Sequence, residues 1–95
     1  MGKPENKIEK YLKEQSEKNG FMCLKLLPSK RGLPDRILIG YGQTIYVETK
    51  REDNGRLSKI QEIRIQQMKD HGVPVYVCDT KELIDTLLLK YKAKR

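Results

Sequence analysis

Pro34-Asp35-Arg36-Ile37-Leu38-Ile39-Gly40-Tyr41-Gly42-Gln43-Thr44-Ile45-Tyr46-Val47-Glu48-Thr49-Lys50 is the stretch that decides the fold. Its two apolar runs, from Arg36 and from Thr44, are rich in β-branched and aliphatic residues, and the segment between them holds two glycines able to take positive φ. That combination predicts a β-hairpin. With the turn centred between Tyr41 and Gly42, Ile39 faces Thr44, Ile37 faces Tyr46, and Asp35 faces Glu48. Opposed side chains in an antiparallel pair stand about 4.5 to 5.5 Å apart at Cβ, so two like charges there destabilise the sheet. A divalent cation between the carboxylates removes the conflict. Lys50, two residues past Glu48, falls on the same face, whereas Thr49 points the other way. One extra turn residue would separate the three groups. The plainer alternative makes Asp35 a turn residue after Pro34, and Glu48 with Lys50 a solvated ion pair on an edge strand.

Working outward, residues 4–19 carry Ile8, Tyr11, Leu12 and Gln15 at helical spacing, and Asn19-Gly20 closes the helix as a C-cap. Residues 21–27 read as a buried strand, followed by the basic loop Pro28-Ser29-Lys30-Arg31-Gly32. After Lys50, the polar and flexible residues 51–56 lead to a helix that begins at Ser58. Its apolar members are Ile60, Ile63 and Met68, with Ile65 beside them, and Gly72 ends it. Residues 73–78 form a last strand. Asp79 or Thr80 then caps a final helix carrying Leu83, Ile84, Leu87 and Leu88 into a basic end at residues 90–95. The order αβββαβα predicts one α/β domain over residues 1–95, a central mixed sheet flanked by helices, with only the last few residues a candidate for disorder.

A chain of 95 residues sits near the lower end of autonomous domain size, with a modest core and some pressure toward dimerisation. Lys and Arg number 20 against 13 Asp and Glu, a net charge of +7 that favours a polyanionic partner, nucleic acid first. Solubility alone is the competing explanation of that charge. The N-terminus alternates Lys and Glu where a secretion signal needs an apolar run, and no segment approaches a bilayer span, so a soluble intracellular protein is expected, without a membrane partner. Cys23 and Cys78 lack ligands at zinc spacing and read as reduced core thiols. His71, just before Gly72, reads as a helix-end residue serving the terminal carbonyls.

The order helix, strand, Gly-x-Pro-Asp strand, Glu-x-Lys strand, helix, strand resembles the PD-(D/E)XK nuclease superfamily. More closely, Lys25, the basic loop, Gly32-Leu33-Pro34-Asp35, Val47-Glu48-Thr49-Lys50, Leu57-Ser58-x-x-Gln61 and the strand ending at Cys78 are similar to the VRR-NUC family of stand-alone phage and bacterial nuclease domains. The likeness runs through nearly the whole chain. It implies a Mg²⁺- or Mn²⁺-dependent endonuclease that hydrolyses phosphodiesters in branched or Holliday-junction-like DNA. It further implies a homodimer at work in the cytoplasm, that of a bacterial host where a phage encodes it. The rival function is a non-catalytic nucleic-acid-binding accessory module with the same fold, for which a repulsive carboxylate pair has no use.

On this resemblance Asp35 and Glu48 are metal ligands, the main-chain carbonyl of Thr49 is another, and Lys50 stands beside the attacking water. Lys50 could orient that water, stabilise the forming hydroxide, or act as base. Two carboxylates and a carbonyl suit a hard cation that keeps several waters. A first-helix glutamate adds to the metal site: Glu5 fits the spacing of the closer family and Glu9 that of the broader resolvase pattern. The family places Gln61 near the metal-bound water, yet Ser58-Lys59-Ile60-Gln61 is also a capping box worth about 1 kcal/mol to the helix. Lys25, Lys30, Arg31, Arg36, Arg51 and Arg56 are the candidate phosphate contacts, which would hold DNA without reading its sequence.

Overall fold

Tyr41 and Gly42 both sit at positive φ, 54° and 76°, the requirement of a two-residue type I′ hairpin turn. The computed structural model describes residues 6–27, 29–52 and 55–93. The turn joins β2 (Arg36–Gly40) to β3 (Gln43–Thr49), with Ile39 paired to Thr44 and Ile37 to Tyr46, the register expected from the sequence. A tyrosine at positive φ is costly unless its surroundings hold it there. Here the Tyr41 hydroxyl donates to the Asn19 carbonyl at 2.6 Å, and its ring meets Phe21 edge-on at 5.1 Å between centroids. The hairpin tip is thereby tied to the end of the first helix.

β1 (Met22–Lys25) pairs antiparallel with β2, and β4 (Val75–Cys78) lies parallel to β3, giving a four-stranded mixed sheet in the order β1-β2-β3-β4. The parallel pair needs a crossover, and α2 (Lys59–Asp70) supplies it. With α1 (Lys7–Lys18) and α3 (Lys81–Lys92) the observed order is αβββαβα, as the sequence predicts. Each helix start is capped by an oxygen-bearing side chain. Asn6 accepts from the amides of Ile8 and Glu9, Ser58 from that of Gln61, and Thr80, the second of the two candidates, from that of Leu83. At the other end of α2, His71 is the C-cap, its Nδ1 2.7 Å from the Gln67 carbonyl, and Gly72 follows at φ +84°. The expected helix-end role is the one it fills.

The sheet has two unequal faces. Cys23, Leu38, Ile45, Val47 and Cys78 point to one side and join Ile8 and Leu12 of α1 and Ile84, Leu87, Leu88 and Tyr91 of α3 in the main core. Both cysteines are unpaired and buried there, and burial pushes the Cys78 thiol up to about 11, so neither is a ready nucleophile. Ser16 Oγ, fully buried on α1, has no hydrogen-bond partner, an arrangement that generally costs about 1–3 kcal/mol. The opposite face carries Ile37, Glu48 and Val75, and only α2 covers it.

That asymmetry corrects three sequence expectations. The segment at 21–27 is not a buried strand: β1 is a sheet edge, with Met22 55% and Leu24 38% exposed and Leu27 almost wholly so. A continuous apolar run reads as buried on both faces, but here one face has no helix over it. On α2 only Ile65 is buried and Ile63 is open to solvent, because this helix rests on one end of the sheet. On α3, Leu83 is exposed and Tyr91 takes the inward place, its hydroxyl 2.6 Å from that of Tyr76. Expectations for Glu5 and for the last residues, 94 and 95, lie outside the described residues.

Candidate active site

The β2–β3 ladder ends at the pair Arg36–Val47; Asp35 and Glu48 are the next residues on the two chains, and the charge of Asp35 is felt at Glu48. Asp35 lies one residue before β2, and its carbonyl still accepts the Leu26 amide at 2.7 Å, which continues the pairing with the chain after β1. Period-2 alternation puts Asp35, Ile37, Tyr46 and Glu48 on the face that α2 partly covers.

Glu48 is buried to 8% exposure. Burial pushes its carboxyl above the ordinary value of 4.5, the Lys50 ammonium pulls it partly back, and the negative charges of Asp35 and Glu9 push it up again. The rise wins, so the folded chain holds this carboxylate at a disadvantage. Two donors meet its Oε2: Lys50 Nζ at 3.5 Å and Gln61 Nε2 at 3.1 Å. Gln61 does more than one job. Its Oε1 accepts the Ser58 amide at 2.9 Å while Ser58 Oγ accepts the Gln61 amide, so the capping box and the contact to Glu48 coexist in one side chain. The cap therefore fixes the rotamer that reaches the carboxylate.

Glu9 stands elsewhere. Its Oε2 receives Arg36 Nη2 at 2.8 Å and Nε at 3.0 Å, and Lys25 Nζ at 3.2 Å. Burial would raise the Glu9 carboxyl, but these hydrogen bonds, and then the two charges, outweigh it and hold it below its usual value. Lys25 and Arg36 are direct cross-strand partners on the side that α1 covers. Among the described residues, no three His, Cys, Asp or Glu side chains are gathered into one metal-binding set. Of the six expected phosphate contacts, Arg36 is 11% exposed and turned onto Glu9, Lys25 shares that carboxylate, and Lys30, Arg31, Arg51 and Arg56 are exposed.

Two glycines hold the loops around the site, one on each side. A Cβ at Gly32, at φ +87°, would fall 2.6 Å from the Ile60 carbonyl, so only glycine lets the basic loop press on α2. Arg64, which no sequence motif marked, donates from Nε to the Arg31 carbonyl at 3.1 Å and secures the same loop. Its signal was positional only: Arg64 follows Gln61 by one helical turn and so shares its face. A Cβ at Gly55 would lie 2.3 Å from the Arg51 amide nitrogen and 3.0 Å from Lys50 Cβ, so the segment after Lys50 folds back closely upon it.

Because the folded chain protonates Glu48 more readily than the unfolded chain, this residue lowers stability as pH rises from 4.5 through its raised folded value. Glu9 has the opposite sign: its contribution is present above 4.5 and is lost as pH falls through its lowered folded value. In metal-free buffer at neutral pH, Glu48→Gln should raise the thermal midpoint, by on the order of a few degrees in a chain of this size. The gain should vanish at pH values below 4.5, where Glu48 is protonated in both states. Thermal unfolding across pH checks this, and a lowered midpoint at neutral pH contradicts it.

The geometry meets its relatives here. The family model described as the VRR-NUC domain matches residues 5–82. A solved structure described as "VRR_NUC domain" superimposes with a TM-score of 0.79 at 26% sequence identity, covering 90% of this chain and 94% of that one. No curated protein matches significantly. With the family model spanning most of its length, and the fold shared almost end to end, the chain belongs to the VRR-NUC family of nuclease domains.

Proposed function

We propose that this protein is a metal-dependent DNA endonuclease acting on branched or junction DNA, with Asp35, Glu48 and Lys50 as its working groups. The observation that carries the reading is the buried, electrostatically disfavoured Glu48 carboxylate, which feels Asp35 and contacts Lys50. A structural ion pair would favour the ionised acid; here the balance runs the other way. The donor chemistry fits a hard divalent cation: the Asp35 and Glu48 carboxylates and the Thr49 carbonyl would hold Mg²⁺ or Mn²⁺, leaving positions for water and a phosphate oxygen. When bound, such an ion acidifies a water and neutralises charge on the phosphoryl oxygens.

The chain's own residues do the rest. Gln61 fixes Glu48 through Nε2 while its other end is locked in the cap, so the carboxylate is set before substrate arrives. Lys50 Nζ, at the same carboxylate, lies where it can orient a nucleophilic water or stabilise hydroxide. Glu9 keeps Arg36 and Lys25 in place on the α1 side, and its charge adds to the demand for a cation at Glu48. Exposed Lys30, Arg31, Arg51 and Arg56 supply phosphate contacts whose strength should fall steeply with salt.

The test is cleavage of labelled linear, nicked, flapped and four-way DNA with and without Mn²⁺, alongside Lys50→Ala. Wild type should cut the branched substrates only with the metal, and Lys50→Ala should cut about 10² to 10⁴-fold more slowly while still binding. Binding without metal-dependent cutting by the wild type would instead support the accessory-module reading.

The reading includes a homodimer. Met22, Leu24 and Ile39, cross-strand neighbours on the face that α2 leaves open, are exposed apolar side chains suited to a second copy. Sedimentation should find a dimer that Leu24→Lys converts to a monomer; a monomeric wild type at assay concentrations contradicts it.

A further inference from the structure

The basic loop and α2 line a second feature, an open groove. A cavity of about 220 Å³ is lined by Lys30, Leu33, Arg64, Met68, His71 and Val73, with Gln67 at its wall. Its polar lining is cationic or neutral, without a carboxylate, and its floor, Leu33, Met68 and Val73, is aliphatic. At roughly 30 Å³ per water it has room for about seven waters. That exceeds the need of a single ion and falls short of the ~300–1,000 Å³ pockets that engulf whole drug-sized ligands.

The cavity is braced by contacts between α2 and the basic loop. Arg64 Nε donates to the Arg31 carbonyl and its Nη1 donates to Gln67 Oε1 at 3.0 Å, so the guanidinium is oriented before any ligand arrives. Gly32 presses the loop against Ile60, just before Gln61. Gln61, Arg64, Met68 and His71 recur at intervals of three or four residues along one face of α2 and its end. Arg64 lies about 4.5 Å and His71 about 15 Å along the helix axis from Gln61. At about 3.4 Å of axial rise per nucleotide, that span corresponds to roughly one to four nucleotides from Gln61, the residue that contacts Glu48.

The geometry points to a nucleotide-binding subsite: the cavity takes one unpaired nucleotide of the substrate strand, its phosphate on Lys30 and Arg64 and its base on the Leu33–Met68–Val73 floor. The inference rests on the nuclease reading only in taking DNA as the substrate. A paired base cannot leave its stack without cost, whereas a base at a branch, flap or end can be splayed onto an apolar surface. Such a subsite gives the enzyme a way to tell branched DNA from plain duplex with phosphate contacts that read no sequence.

The experiment follows backbone amide shifts of the isotopically labelled protein by NMR during titration with dTMP and, separately, inorganic phosphate, without metal. The expected result is that dTMP moves the amides around Leu33, Arg64, Met68 and Val73, that phosphate at equal concentration moves them much less, and that Arg64→Gln abolishes the response. Because Arg64 also braces the loop, Lys30→Gln serves as the second variant; it should weaken the dTMP response without altering the rest of the spectrum. Both variants should weaken binding to a flapped substrate more than to blunt duplex, lowering the slope of log K against log salt by about 1. Absence of shifts at these amides, equal responses to phosphate and dTMP, or equal losses on flap and duplex each overturns the inference. The titration needs neither cleavage nor metal, so a failed nuclease assay and a failed subsite remain distinguishable.

Discussion

Everything at this candidate site depends on a carboxylate, Glu48, that the hairpin buries beside the charges of Lys50 and Asp35. The Tyr41-Gly42 turn fixes which residues of β2 and β3 oppose, and a slip of one residue would send every side chain to the wrong face. The register is held away from the site itself, by the Tyr41 hydroxyl on Asn19 and the Phe21 ring against it. Stability is thus supplied at one end of the hairpin and lost at the other, where burial first, and then the charges of Asp35 and Glu9, raise the cost of ionising Glu48. Functional sites commonly carry such a local penalty within an otherwise favourable structure.

α2 connects the parts. It makes the crossover between parallel strands, and Gln61, in the capping box of its first turn, also donates to Glu48. One turn further on, Arg64 and the Gly32 contact anchor the basic loop that leads into Asp35. A helix that buries little beyond Ile65 would be a poor core element, and α2 is retained at the sheet through polar contacts as much as apolar ones. Two of those polar contacts reach Glu48 and the basic loop.

The hairpin, its register, the N-caps of α2 and α3 and the seven-element order were legible because each rests on local chemistry: two positive-φ residues, oxygen-bearing caps, and periodic apolar positions; the Asn6 cap of α1 was not read from the sequence. What was not legible depends on neighbours distant in sequence. The run at 21–27 has the composition of a buried strand, and nothing in it says that one face lacks a helix. Arg36 looks like any basic residue near an acidic site; only the fold reveals that Glu9, 27 positions away, has claimed it. The choice for Gln61 between capping and a place near a metal-bound water looked exclusive in one dimension, although its amide has two ends, one in the cap and the other on Glu48. The site residues themselves stood out through turn geometry and family likeness, whereas Arg64 had no motif to mark it.

The proposed role of Asp35 and Glu48 is to hold a divalent cation together. Titration calorimetry of Mn²⁺ into the protein, with a DNA oligonucleotide present, tests it most directly. The account predicts saturable uptake that weakens as pH falls through the raised Glu48 value and is lost in both Asp35→Asn and Glu48→Gln. Uptake that is absent, or that survives both substitutions unchanged, would contradict it.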